Sequence, residues 1–199
     1  MGTEKRNTRT RQKQIARAAL EIMGERGVDK LSIAEVARRV GLVPSGIYRH
    51  FRGKSQILDA VLELINWKLQ ENVRAVKEET DAPLERLRLL LMRHARLITG
   101  DGAIPRVVFS ESVYGGSPDQ KKKLHEVISN YTERIEEIVE EGRRSGEIRR
   151  EVKPERAAVM FLGMIQPGAI LWHLSDGEFD VAQQAEEAWR LFSRALRPR

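Results

Sequence analysis

Apolar residues in this 199-residue chain recur at intervals of three and four almost from end to end, and almost no stretch alternates strictly between apolar and polar. That period belongs to the α-helix and argues against a sheet as the main element. The expected fold is all-α, with glycine and proline breaks marking about nine helices. The first runs from about Thr10 to Arg26, with Ile15, Ala18, Ala19 and Ile22 on one face and Gly27 as a left-handed stop. The second opens on Ser32, three residues before Glu35 in the spacing of a capping box, and turns Ile33, Val36, Ala37 and Val40 inward before Gly41. A short third begins at Pro44, which has no N–H to leave unpaired in a first helical turn, and has Ile47, Tyr48 and Phe51 as its apolar side. The fourth, about Lys54 to Lys77, carries Ile57, Val61, Leu64, Ile65 and Trp67 and is long enough to connect two modules rigidly.

Further helices are expected after Pro83, around Arg106 to Ser112, from Pro118 to Arg144, from Pro154, and after Asp180, whose spacing to Gln183 is a second start signal. In the Pro118 helix the acidic residues Glu133, Glu136, Glu137, Glu140 and Glu141 alternate with inward Tyr131, Ile135 and Ile138, the pattern of a solvated face. The most apolar stretch, Ala157 to Trp172, is interrupted by Gln166-Pro167-Gly168. It is shorter than the ~20 residues a bilayer requires, so a buried or subunit-facing helix kinked at Pro167 is expected.

Charge is concentrated at one end. Residues 1–54 hold 13 Lys and Arg against 5 Asp and Glu, whereas the remainder holds 22 against 24. A short basic segment on a near-neutral body suits a polyanion, most often nucleic acid, although a solvated basic tail has the same composition. The chain has no cysteine, which removes disulfides, thiolate catalysis and Cys-ligated zinc together. Residues 1–14 are polar and basic with no apolar core after them, so no secretory signal is expected and the cytoplasm is the expected compartment.

The helices around Gly41-Leu42-Val43, behind a supporting first helix, have a helix-turn-helix layout, in which the second short helix enters the major groove. The spacing alone also describes helix hairpins in all-α enzymes. The residues are more specific: Ile33-Ala34-Glu35-Val36-Ala37, Gly41-Leu42, and Ser45-Gly46-Ile47-Tyr48-Arg49-His50-Phe51 followed by Lys54 closely resemble the DNA-binding domain of the TetR family of bacterial one-component regulators. The resemblance covers about residues 10–60 and continues afterwards as one of layout. It implies a DNA-binding domain over 1–54, an effector-binding and dimerisation domain over 55–199, a homodimer on an inverted-repeat operator in double-stranded DNA, and an unknown small-molecule effector. By position it places Pro44, Ser45, Gly46, Tyr48 and Arg49 at the recognition helix, with Tyr48, His50 and Lys54 near phosphates. The physics agrees: helix N-termini and ammonium groups favour phosphate, hydroxyls donate to phosphate or base edges, and Gly46 allows close backbone approach. Thr10, Arg11 and Lys13 are further backbone contacts, and the tail Thr3 to Arg9 is placed to reach a groove. Val43 stands where the family usually has Ser or Thr, so it supplies neither a side-chain cap nor a hydroxyl contact.

Downstream, His94, Tyr131, Gln166 and His173 interrupt apolar helix faces, as groups that orient a ligand in an apolar pocket do, though each is also compatible with a backbone-satisfied or rim position. Phe109, Phe161, Met164 and Trp172 are candidate walls. Dimerisation is expected on the Pro154 and terminal helices, where Gly163 and Gly168 permit close approach and Trp189, Phe192 and Leu196 form an apolar strip. Such a dimer spaces two recognition helices by about 34 to 36 Å, or more on a wider operator. No His-Glu-x-x-His, phosphate-binding glycine loop or nucleophile elbow occurs, and the four histidines lack metal-ligand spacing. Neither a cofactor nor a metal is therefore expected, and an enzyme is the least favoured class. A ligand-responsive repressor, with the fourth helix as lever, is favoured over an activator or an effector-free nucleoid or adaptor protein.

Overall fold

A computed structural model describes residues 2–100 and 102–198, with side chains over 8–100, 102–113 and 115–198. Its helices are α1 (Gly2–Arg26), α2 (Ile33–Arg39), α3 (Pro44–Ile47), α4 (Lys54–Glu79), α5 (Pro83–Gly100), α6 (Ala103–Val108), α7 (Glu111–Tyr114), α8 (Pro118–Ser145), α9 (Pro154–Gly163), α10 (Gln166–Leu174) and α11 (Val181–Leu196), with a 3-10 turn at Val28–Lys30. No strand occurs among the described residues. They form two compact units: residues 2–67 with 103–127, and 68–100 and 102 with 128–198.

In the first unit α1 packs most extensively on α6 and also on α2. Ile15, Ala18, Ala19 and Ile22 are buried as the sequence pattern requires, and Ala16, Leu20 and Met23 are buried with them. α1 and α6 approach so closely that a Cβ added to Gly24 would lie 2.3 Å from the Ala103 Cβ and 2.7 Å from its Cα. Arg106 donates to the Gly24 carbonyl at 2.7 Å, supplying a positive charge to the last turn of α1, where backbone carbonyls lack helical partners. α1 extends back to Gly2 rather than starting near Thr10. Residues 3–9 contain neither glycine nor proline, so nothing in them stops helix propagation, and they are not an extended tail. The expected side-chain contacts of Thr3 to Asn7 lie outside the described residues.

The second unit packs α11 against α5 and α10. Leu87, Leu90, Leu91, Ile135, Ile138, Val139, Phe161, Ala185 and Trp189 contribute to its core. Asp180 caps α11 by accepting from the Gln183 amide at 2.9 Å, as its spacing predicts. Two expected single helices are divided. A turn at Phe109–Ser110 separates α6 from α7, and one at Met164–Ile165 separates α9 from α10. Pro167 consequently sits in the first turn of α10, where its missing N–H breaks no bond, instead of kinking a continuous helix. Together Pro154–Leu174 make 21 residues of mean hydropathy 1.5, enough by length and composition to cross a membrane, so the shortness inferred from the sequence is not the distinguishing feature. The run is broken at Met164–Ile165 and two-sided, with Ala157, Ala158, Phe161, Ile165 and Ala169 buried and about a third of its most apolar window inside the unit.

A polar pair joins a half-buried residue, His94, to a buried one, Tyr131. His94 Nδ1 is 3.2 Å from the Tyr131 hydroxyl, with the rings edge-on at 5.4 Å between centroids. Burial lowers the His94 pKa to about 4 and raises that of Tyr131, so both are neutral at pH 7.

Two consequences can be measured. Gly24→Ala should cost about 1–3 kcal/mol in urea unfolding by forcing α6 off α1, despite alanine's higher helix propensity. Gly163→Ala, where nothing lies within 4 Å of the new Cβ, should be neutral or slightly stabilising. Second, between pH 6.5 and about 4 the unfolded chain protonates His94 while the folded chain does not. Stability should therefore fall as pH drops through that window, by at most on the order of 1.4 kcal/mol per pH unit from this group. Comparison of urea midpoints at pH 7 and 5 should show a weaker pH dependence in His94→Gln; an identical dependence would assign the effect to other groups.

Candidate nucleic-acid interface

Ion pairs hold α2 against α1, with Arg39 also 3.8 Å from Glu21. Arg39 donates to both oxygens of Glu25, at 2.8 and 2.9 Å, and Arg26 reaches Glu35 at 3.0 Å. The Arg39 hydrogen bonds hold the Glu25 carboxyl below its ordinary pKa. Ser32 has the extended backbone of an N-cap, but its side chain makes no capping bond, and Glu35 turns to Arg26 and Arg38. The capping box inferred from spacing is therefore absent, because a guanidinium on the neighbouring helix competes successfully for its carboxylate. Gly41, at φ 68°, supplies the left-handed residue between α2 and α3.

The short α3 divides sharply into two sides. Ile47 is completely buried, while its neighbour Tyr48 is 58% exposed, so Tyr48 does not belong to the apolar side on which the sequence pattern put it with Ile47 and Phe51. Pro44, Ser45 and Arg49 also face solvent, and Gly46 is half-buried. A Cβ added at Gly46 would make only ordinary contact with Leu42, at 3.5 Å, so the fold itself does not require glycine there. Val43 is exposed at the N-cap and provides no side-chain cap.

Lys54 is exposed at the start of α4, Thr10 and Lys13 are exposed on α1, and Arg11 is half-buried. His50 is half-buried, with its carbonyl accepting from Gln12 Nε2 at 3.4 Å and its Nδ1 enclosed without a hydrogen-bond partner. All ten residues selected for DNA contact belong to the first unit. Arg38 adds an exposed cation on α2. An exposed short helix bearing hydroxyl and guanidinium donors, with ammonium groups on neighbouring helices, can combine base-edge and phosphate contacts. Gln12, which ties α1 to the end of the helix-turn-helix, was not singled out in the sequence because its partner is a backbone carbonyl 38 positions away.

The effector candidates are less concentrated. His94 and Tyr131 touch, and Phe161 is buried in the same unit. Met164 and Trp172 are half-buried, whereas Gln166 and His173 face solvent. The Trp172 ring lies where a Gly102 Cβ would be 2.6 Å from it, making that glycine a packing requirement. Phe109 follows α6 in the first unit, apart from the other seven assigned residues.

Of the residues selected for dimerisation, Trp189, Phe192 and Leu196 are buried within their own unit, Trp189 and Phe192 as a tilted aromatic pair 6.2 Å apart. Gly168 packs against Gln184 and Val181, while Gly163 is open. The exposed large apolar residues on these helices are Val159, Met160, Ile170, Leu171, Leu174 and Leu191. They were missed because a buried strip and an exposed strip have the same composition. Among the described residues, no cluster of three His, Cys, Asp or Glu side chains is suited to a metal ion.

Residues 15–61 match the description "Bacterial regulatory proteins, tetR family", and residues 80–196 match "Tetracyclin repressor-like, C-terminal domain". The chain is 26% identical to the fatty acid metabolism regulator protein of Bacillus subtilis over 84% of its length and 86% of that protein. It is 24% identical to the nucleoid occlusion factor SlmA of Vibrio vulnificus, over 98% of this chain and 99% of the other. Among solved structures, the B. subtilis transcriptional regulator FadR in complex with stearoyl-CoA superposes with TM-score 0.78 at 23% identity, covering 92% of this chain and 98% of that one. The fatty acid degradation regulator FadR of Bacillus halodurans gives TM-score 0.80 at 20% identity, covering 91% and 93%. With both parts of the chain matched, and an exposed recognition helix where the motif requires it, the chain belongs to the tetR family of bacterial regulatory proteins and is a DNA-binding transcriptional regulator.

Proposed function

We propose that the protein is a cytoplasmic homodimeric repressor that binds an inverted-repeat operator and is released by a small apolar or amphipathic effector. The observation carrying the DNA-reading assignment is α3, with Ile47 inside and Tyr48 with its polar neighbours outside. Residues 1–54 are assigned to DNA and 55–199 to effector binding and dimerisation. Pro44, Ser45, Gly46, Tyr48 and Arg49 face the major groove, while Thr10, Arg11, Lys13, His50 and Lys54 serve the backbone. The effector site is assigned within the second unit around His94 and Tyr131, with Phe161, Met164, Gln166, Trp172 and His173 as further contacts. No catalytic step, metal or cofactor is assigned.

Dimerisation is supported by the exposed apolar residues of α9–α11, around Gly163 and Gly168, with Trp189, Phe192 and Leu196 backing them from inside. α4 is the proposed lever by which the effector changes the separation of two recognition helices. Coupling requires that the effector favour one dimer geometry over the other. The relatives' connection with fatty acids, and stearoyl-CoA in one solved structure, make long-chain acyl-CoA the first effector class to test. The match to SlmA along nearly the whole chain supports a second assignment, an effector-independent nucleoid protein.

Selection from a randomised duplex library, followed by titration of the selected duplex with stearoyl-CoA, separates these functions. An inverted repeat preferred by ~10³ or more and released by the acyl-CoA supports the first; sequence-selective binding unaffected by acyl-CoAs and other amphipathic effectors supports the second. On the selected operator, Tyr48→Ala should weaken binding roughly tenfold or more without lowering the thermal midpoint. Lys54→Ala should weaken every duplex similarly and reduce the salt slope by about one; an unchanged slope would remove Lys54 from the phosphate contacts.

A further inference from the structure

We propose that the groove between α1 and the first half of α4 is a second ligand site, for a small organic anion with a flat apolar body. It lies wholly within the first unit and encloses about 780 Å³. That volume is within the roughly 300–1,000 Å³ of small-molecule sites.

Its two long walls differ in chemistry. Arg9, Lys13 and Arg17, four residues apart on α1, place three exposed cations along one side, and none has an ion-pair partner among the described residues. On the other side, Ala60, Leu64 and Trp67 form an apolar stripe on α4. Glu63 at the rim is engaged by Lys123 at 2.5 Å, leaving Asp59 as the remaining carboxylate against the three cations. The Trp67 indole is 49% exposed, and Lys13 Nζ stands 5.7 Å from its ring centroid. His50 closes one end of the groove.

An anionic group fits the guanidinium and ammonium wall, and a planar apolar body covers Leu64 and Trp67. A DNA backbone satisfies only the first requirement, since its phosphates would leave the indole uncovered. The site draws on Lys13 and Arg9, so its occupant competes for charge that would otherwise face a duplex.

The test uses the full chain labelled with 5-fluorotryptophan, whose three tryptophans give three fluorine signals, with Trp67 assigned through Trp67→Phe. The probe is naphthalene-2-sulfonate, with neutral naphthalene-2-sulfonamide as its comparison. Saturable movement of the Trp67 signal is expected while Trp172 and Trp189 stay fixed. The sulfonamide should bind roughly tenfold or more weakly, and Lys13→Gln with Arg17→Gln should cause a similar loss while leaving the two other signals in place. Absence of a saturable Trp67 shift, equal affinity for the neutral probe, or undiminished binding by the folded double variant would each overturn the proposal. The neutral comparison uses the unaltered protein and remains decisive if the double variant fails to fold.

Discussion

Burial of α1 is the constraint on which the first unit depends. Ile15, Ala16, Ala18, Ala19, Leu20, Ile22 and Met23 cover more than one face of the helix, and all are withdrawn from water. A helix half-exposed on a surface needs only one apolar stripe; α1 has neighbours on two sides, α2 and α6. Because α3 is only four residues long and cannot hold its own shape in water, its orientation is inherited from this packing through Ile47 and through α2. The ion pairs Arg39–Glu25 and Arg26–Glu35 add angular definition to α2 more than stability, since one partner of each remains about half exposed to water.

The helix order and the glycine turn at Gly41 were legible in the sequence because they follow from local rules: a 3.6-residue period, a glycine stop and a proline start. The Asp180 cap was legible for the same reason. The contrast between Ile47 and Tyr48 was not legible, since an aromatic ring beside an apolar residue counts as apolar in that period. The Ser32–Glu35 capping box was not, since its carboxylate is claimed by an arginine nine residues earlier that local spacing cannot weigh. The divisions at Phe109–Ser110 and Met164–Ile165 escaped notice because an apolar run looks alike whether it continues or turns a corner. Seven of the ten candidate DNA residues fall between Pro44 and Lys54, the other three lie on α1, and all ten belong to one unit. The candidate effector residues are scattered across four helices and the segments between them, so their convergence depends on tertiary packing.

The second unit contrasts a sheltered polar pair with an exposed apolar surface. Tyr131 is buried and His94 half-buried, the two satisfy each other, and desolvation keeps both uncharged over a wide range around neutrality. Val159, Met160, Leu174 and Leu191 lie among the more exposed large apolar groups of the molecule. Buried polarity gives this unit a defined interior, and its outward apolarity lowers solubility for the chain in isolation.

The Gly24–Ala103 contact is made by the absence of a side chain, which gives it an unusual mechanical character. Backbone meets methyl with no flexible atoms between, so the repulsive wall rises within a few tenths of an ångström. Attractive contacts stretch before they fail, but a hard contact yields almost nothing under compression. Pressed toward α1, α6 would displace the helix instead of indenting it; drawn away, it would have to break the Arg106 hydrogen bond and return Ile104 and Val107 to water. The joint therefore fixes a spacing, with a hard wall on one side and apolar burial on the other.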